Sequence, residues 1–164
     1  MRKLLPLIAA LAVTGCGLHP LYDGGSRGAA AIGFRSIEVG PIPQRSGWLT
    51  RNALVDRFDG EHPAGLYRLE VELDDRITGF GIRGDSATTR ETRTLRARYR
   101  LVERASGAVV LDATAGSDAG IDVVSSEYAT IAAEQTATER LSALVADQIV
   151  ARLARYMTAT AGRR

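Results

Sequence analysis

The chain has 164 residues, 45% of them hydrophobic and 24% charged, with one cysteine and a formal charge of +2. Of its 21 Lys and Arg side chains, two are Arg2 and Lys3, and the remaining 19 balance the 19 Asp and Glu side chains. A net-neutral body speaks against a nucleic-acid-seeking protein, and a lone cysteine excludes an intrachain disulfide, so the fold must hold by packing.

The N-terminus runs from a basic head, Met1-Arg2-Lys3, through apolar residues Leu4 to Val13, to Thr14-Gly15-Cys16. The apolar run is too short to span a bilayer as a permanent helix. It reads as a cleavable signal, residues 1–15, with small residues before the cut and Cys16 as the acylated first residue of the mature chain. An ordinary secretory signal with a chance cysteine is the alternative. The 149 residues that would remain suffice for one domain with a core, and every basic side chain among them is arginine.

Residues 16–33 are rich in glycine and alanine and are expected to form a lipidated tether or a thin coat on the body. A single domain is expected over residues 34–160. Phe34 to Val39 alternates as a short strand that Pro41 and Pro43 end. Ser46-Gly47-Trp48 leads into a helix over about Leu49 to Phe58, its buried stripe built from Leu49, Ala53, Leu54, Val55 and Phe58. Leu66 to Ile77 is the clearest strand: Tyr67, Leu69, Val71 and Leu73 share one face, and Arg68, Glu70, Glu72 and Asp74 the other. Gly79, Gly81, Gly84 and Asp85 then mark a turn.

A second long strand is expected over Ala87 to Glu103, with Leu95, Ala97, Tyr99 and Leu101 inward and Thr94, Arg96, Arg98 and Arg100 outward. In a hairpin this arginine row lies beside Glu70, Glu72 and Asp74, in cross-strand pairs worth about 0.2–1 kcal/mol each. Ala105-Ser106-Gly107 turns the chain into a third long strand, which Gly116 to Gly120 interrupts before Ile121 to Val124 resumes it. Ser125 or Ser126 caps a helix to about Ala159, with a stripe from Tyr128 and Ile131 through Leu141, Val145, Ile149 and Leu153 to Tyr156, widened by Leu144, Val150 and Met157. The expected fold is α+β: a four-stranded mixed sheet with two helices packed on one face, the other face polar.

Chemistry-bearing patterns are few. His19 and His62 fall in loops, and no metal-ligand, nucleophile-elbow or phosphate-loop pattern occurs. Asp74 and Asp75 are consecutive strand residues and so point to opposite faces, a poor shape for a shared-proton pair. The expectation is a binding or assembly protein, with no catalytic residue, metal or cofactor. Arg76, Arg83, Arg90 and Arg93 lie near the turn between the two long strands, where cross-strand pairing is expected to consume them least. Together they could form a cationic tip for phosphates or sugar acids, or simply solvate an exposed hairpin end.

Cys16-Gly17-Leu18-His19-Pro20-Leu21-Tyr22 resembles the mature start of the LptE family of lipopolysaccharide-assembly lipoproteins in its alphaproteobacterial form. The resemblance continues through the element order and through Ser125-Ser126-Glu127-Tyr128-Ala129 into the helix ending Ile149-x-x-Arg152-Leu153-x-x-Tyr156. His19 stands where arginine is common, and no lysine is present to contact lipid A. The resemblance implies an outer-membrane lipoprotein, anchored on the periplasmic side through Cys16, that plugs an LptD-like β-barrel, supports its assembly and takes part in lipopolysaccharide transport. Lipopolysaccharide contacts would fall on basic residues, with Arg76, Arg83, Arg90 and Arg93 as candidates. Gly17 after the cysteine, rather than aspartate, agrees with outer-membrane sorting. The alternative is a lipid-anchored periplasmic adaptor or an anion-binding protein of another envelope machine.

Overall fold

The computed structural model describes residues 28–82 and 88–162. Cys16, His19 and the rest of the N-terminal segment lie outside the described residues, as does Arg83. The elements in chain order are α1 (Ala29–Phe34), β1 (Ile37–Val39), α2 (Gln44–Arg57), β2 (Tyr67–Ile82), β3 (Thr88–Glu103), β4 (Val109–Asp122) and α3 (Glu127–Ala161). The four strands form one sheet in the order β1-β2-β3-β4. β1 runs parallel to β2, and the other neighbours are antiparallel, so the sheet is mixed as expected. A parallel pair needs a long crossover, and α2 supplies it.

The alternation in β2 and β3 decides the register. Leu69 pairs with Leu101 and Val71 with Tyr99, all four buried, while Glu70 pairs with Arg100 and Glu72 with Arg98 on the other face. Burial pushes the Tyr99 phenol above its ordinary range, against the opposing pull of Arg152 and Arg155. The helices cover the inner face: α3 lies over β4 and β3, and α2 lies beside α3. α3 is about 52 Å long and the longest strands about 50 Å, and the helix is buried from Ala137 onward. Ser126 caps it, its hydroxyl accepting from the Ala129 amide at 3.5 Å. Leu141, Val145, Ile149 and Leu153 are buried between helix and sheet, and Tyr67 is half-buried at the core's edge.

Several local expectations change. Part of the glycine- and alanine-rich lead is the helix α1, whose Ala30 and Phe34 pack into the core, with Phe34 stacked on Phe58 at 5.0 Å. Strand β1 therefore starts at Ile37 rather than Phe34. Helix α2 starts at Gln44, ahead of the expected Leu49, and takes in Gly47 as a packing residue: a Cβ there would lie 2.6 Å from the Ile42 carbonyl oxygen. Its buried face is Ser46, Gly47, Thr50 and Leu54, with Leu49 only half-buried. Strand β2 continues through Gly79 and Gly81 to Ile82.

Strand β4 is also unbroken. Gly116 lies opposite Arg96, and a Cβ there would come 2.5 Å from the Arg96 Cδ, so the glycine is a slot for the arginine stem. Gln148 of α3 covers this edge strand, accepting from the Gly116 N–H at 3.0 Å and donating to its carbonyl at 3.1 Å. A side-chain amide there occupies backbone groups that an edge strand otherwise leaves open. At the N-terminal end of α3, Tyr128 and Ile131 are exposed because burial along the helix begins only at Ala137, and Leu144 is exposed although it lies within the buried stretch.

Candidate functional site

The outer face of the sheet is an ionic ladder. Arg100 reaches Glu70 at 3.2 Å and Glu72 at 3.6 Å on β2, as the hairpin pattern predicts. Its neighbours turn the other way. Arg98 pairs with Asp112 at 2.9 Å, and Arg96 grips Asp118 with Nη2 at 3.0 and 2.9 Å, both on β4. Thr94 also donates to Asp118 at 2.7 Å. The hydrogen bond from Arg98 holds the Asp112 carboxyl below its ordinary range, and those from Arg96 and Thr94 do the same for Asp118. Sequence reading missed Asp112 and Asp118, although both are even-numbered residues on the parity of Thr114 and Gly116. Each ladder pair is solvent-exposed and by itself stabilises the fold little. The ladder's main effect is a polar face whose charges are already balanced.

The three candidate arginines among the described residues, Arg76, Arg90 and Arg93, do not share one face of the sheet. Residues 76 and 90 have the parity of the outer face, and residue 93 has that of the inner face, because successive strand residues alternate sides. Arg93 is engaged: it donates to both oxygens of Asp75 at 2.8 and 2.7 Å and to the Glu134 carbonyl of α3 at 3.4 Å. Its side chain is 17% exposed and that of Asp75 is 9% exposed, so this pair is a largely buried brace between sheet and helix. The expectation that turn-side arginines escape cross-strand pairing fails at this residue. Nearby, the Glu91 Oε2 is buried without a hydrogen-bond partner among the described residues.

Arg76 and Arg90 differ from Arg93. Arg76 touches Asp74 of its own strand at 2.8 Å, and Arg90 reaches Asp122 at 3.4 Å, with the arginine side chains 74% and 67% exposed. Exposed pairs of this kind are worth about 0–1 kcal/mol, so an incoming anion can displace the carboxylate at little cost. Arg76 lies opposite Thr94 and Arg90 opposite Phe80, four residues or about 13 Å further toward the hairpin end. Asp75 faces inward and Asp74 outward, as consecutive strand residues must. His62 makes a 2.9 Å contact with the Phe58 carbonyl, in which a ring N–H donates. Among the described residues no group of three or more His, Cys, Asp or Glu could hold a metal ion, and no helix is long and apolar enough to cross a membrane.

The family model for LptE, described as lipopolysaccharide-assembly, matches residues 34–153. The chain belongs to the LptE family. Solved structures with this fold include a putative lipoprotein from Caulobacter crescentus, 27% identical, with a TM-score of 0.65 over 84% of this chain and 98% of that one. The rare lipoprotein B from Shewanella oneidensis is 8% identical, with a TM-score of 0.54 over 78% of this chain and 96% of that one. A minor lipoprotein from Acinetobacter baumannii is 13% identical, with a TM-score of 0.53 over 75% and 94%. No curated protein matches the chain. The last two likenesses are of fold alone. Membership of the LptE family supports a lipid-anchored location on the periplasmic side of the outer membrane.

Proposed function

We propose that this LptE-family protein plugs an LptD-like β-barrel, supports its assembly, and takes part in moving lipopolysaccharide to the outer leaflet. The family match carries this reading. The outer face supports it physically. A barrel lumen is polar and wet, so a plug needs a polar surface that does not bring unbalanced charge with it. The Arg–Asp and Arg–Glu ladder is such a surface. In this reading residues 1–15 are removed, Cys16 carries the acyl chains that hold the protein to the membrane, the segment before Ala29 links anchor to body, and the working domain begins at helix α1, which packs into the core ahead of the expected start at residue 34.

Lipopolysaccharide bears phosphates and sugar acids, which arginine grips with paired N–H donors. Of the four candidates, Arg76 and Arg90 are the exposed ones among the described residues, and Arg83 lies between them in sequence. Arg93 enters this site only if its brace to Asp75 opens. A detergent pull-down from native outer membranes tests the partner. The protein should recover a large integral β-barrel in stoichiometric amount, and reproducible recovery without any such barrel would refute the plug. Intact mass of the native protein should begin at Cys16 with added lipid.

A further inference from the structure

The end of the body where the described chain begins carries an apolar groove of about 380 Å³ between α1 and the C-terminal end of α3. Ala29, Ile32, Leu66, Tyr67, Met157 and Ala161 line it, and among the described residues no charged side chain does. Ile32 and Leu66 at its rim are 60% and 65% exposed. The groove is firmly built, because α1 is pressed onto α3: a Cβ on Gly33 would lie 2.7 Å from the Met157 Cγ. We propose that this groove seats the chain's own segment Leu18-His19-Pro20-Leu21-Tyr22.

Three observations select that occupant. The segment is apolar and holds no Asp, Glu, Lys or Arg, which matches an uncharged groove. It is covalently close: residues 23–28 separate it from Ala29, a linker of at most about 20 Å when extended and rich enough in glycine, at Gly24, Gly25 and Gly28, to turn back. A tethered segment binds at an effective concentration in the millimolar range, so modest contacts suffice. Docking shortens the leash. From Ala29 back to Cys16 a free chain reaches about 40 Å, whereas a chain docked at Leu18 leaves under about 10 Å. With lipid on Cys16, which rests on the function proposed above, the groove end of the body would be held at the membrane and the β2–β3 hairpin would point away from it. The docking itself does not require the lipid.

The test places a benzophenone-bearing phenylalanine at Leu21 of the full chain in intact cells, followed by peptide mapping after irradiation. The expected adduct is intrachain, on residues 29–36, 66–67 or 157–161. It persists when Cys16→Ser removes the acyl site, and it falls at least several-fold with Leu66→Asp, an exposed rim residue whose change leaves the core intact. The proposal is overturned by an adduct to lipid, to a second copy, to another protein or elsewhere on the body. It is equally overturned by the absence of an adduct, by its loss with Cys16→Ser, or by indifference to Leu66→Asp.

Discussion

Leu69 and Glu70 are consecutive residues of β2 on opposite faces of one sheet. Leu69 is fully buried against the helices, and Glu70 meets Arg100 in a half-exposed ion pair. On the inner face stability comes from apolar area removed from water, about 25 cal/mol per Å². On the outer face many pairs each contribute little, and their joint product is a neutral, wet surface. The difference separates two tasks: the inner face keeps the fold, and the outer face is free for the barrel and the anionic lipid proposed above. Arg93 with Asp75 is the exception, a charge pair placed on the inner face and used as a brace.

The contrast breaks first at the core. Leu69→Ala should lower unfolding free energy by about 2–5 kcal/mol, read from denaturant melts with an unchanged slope. Next comes the brace. Arg93→Met strands a largely buried Asp75 and should cost about 2–4 kcal/mol, whereas Arg93→Met combined with Asp75→Leu should recover most of that loss. A double variant as unstable as the single one would mean that the pair is not an isolated brace.

The ladder gives the smallest effect on stability. Arg98→Gln should leave it nearly unchanged, because the pair is solvent-exposed. Its signature is in titration. Asp112 is held below its ordinary value chiefly by the Arg98 hydrogen bond, so its contribution to stability is complete above the unfolded-state pKa of about 3.9 and is lost as pH falls through the lower folded value. In Arg98→Gln the Asp112 midpoint, followed by NMR, should return toward the ordinary range. Asp118, held by Arg96 and Thr94, should not move.

The inner face was legible because period-two alternation in Tyr67 to Leu73 and Leu95 to Leu101 states both the strand and its buried side. The long helix was legible for the same reason at period 3.6, but only where it has something to cover. Tyr128 and Ile131 belong to the apolar stripe and remain exposed, since a helix pattern does not reveal how far its partners extend. Glycines misled most. Gly47, Gly116 and Gly79 look like punctuation in sequence, yet Gly47 and Gly116 are contact points for Ile42 and Arg96, and Gly79 lies within β2. The arginine tip was half legible. Proximity in sequence drew Arg90 and Arg93 together, and strand parity separates them.

The central claim is that the exposed hairpin arginines bind ligand while the ladder arginines are structural. Binding of purified lipopolysaccharide by the mature protein tests it directly, comparing Arg76→Glu/Arg90→Glu with Arg96→Gln/Arg98→Gln at two salt concentrations. The first variant should fold normally and bind about tenfold more weakly, the order expected for losing charge-assisted contacts, with the larger loss at low salt. The second should bind nearly as the parent does. Unchanged binding in the first variant, or an equal loss in both, would contradict the account.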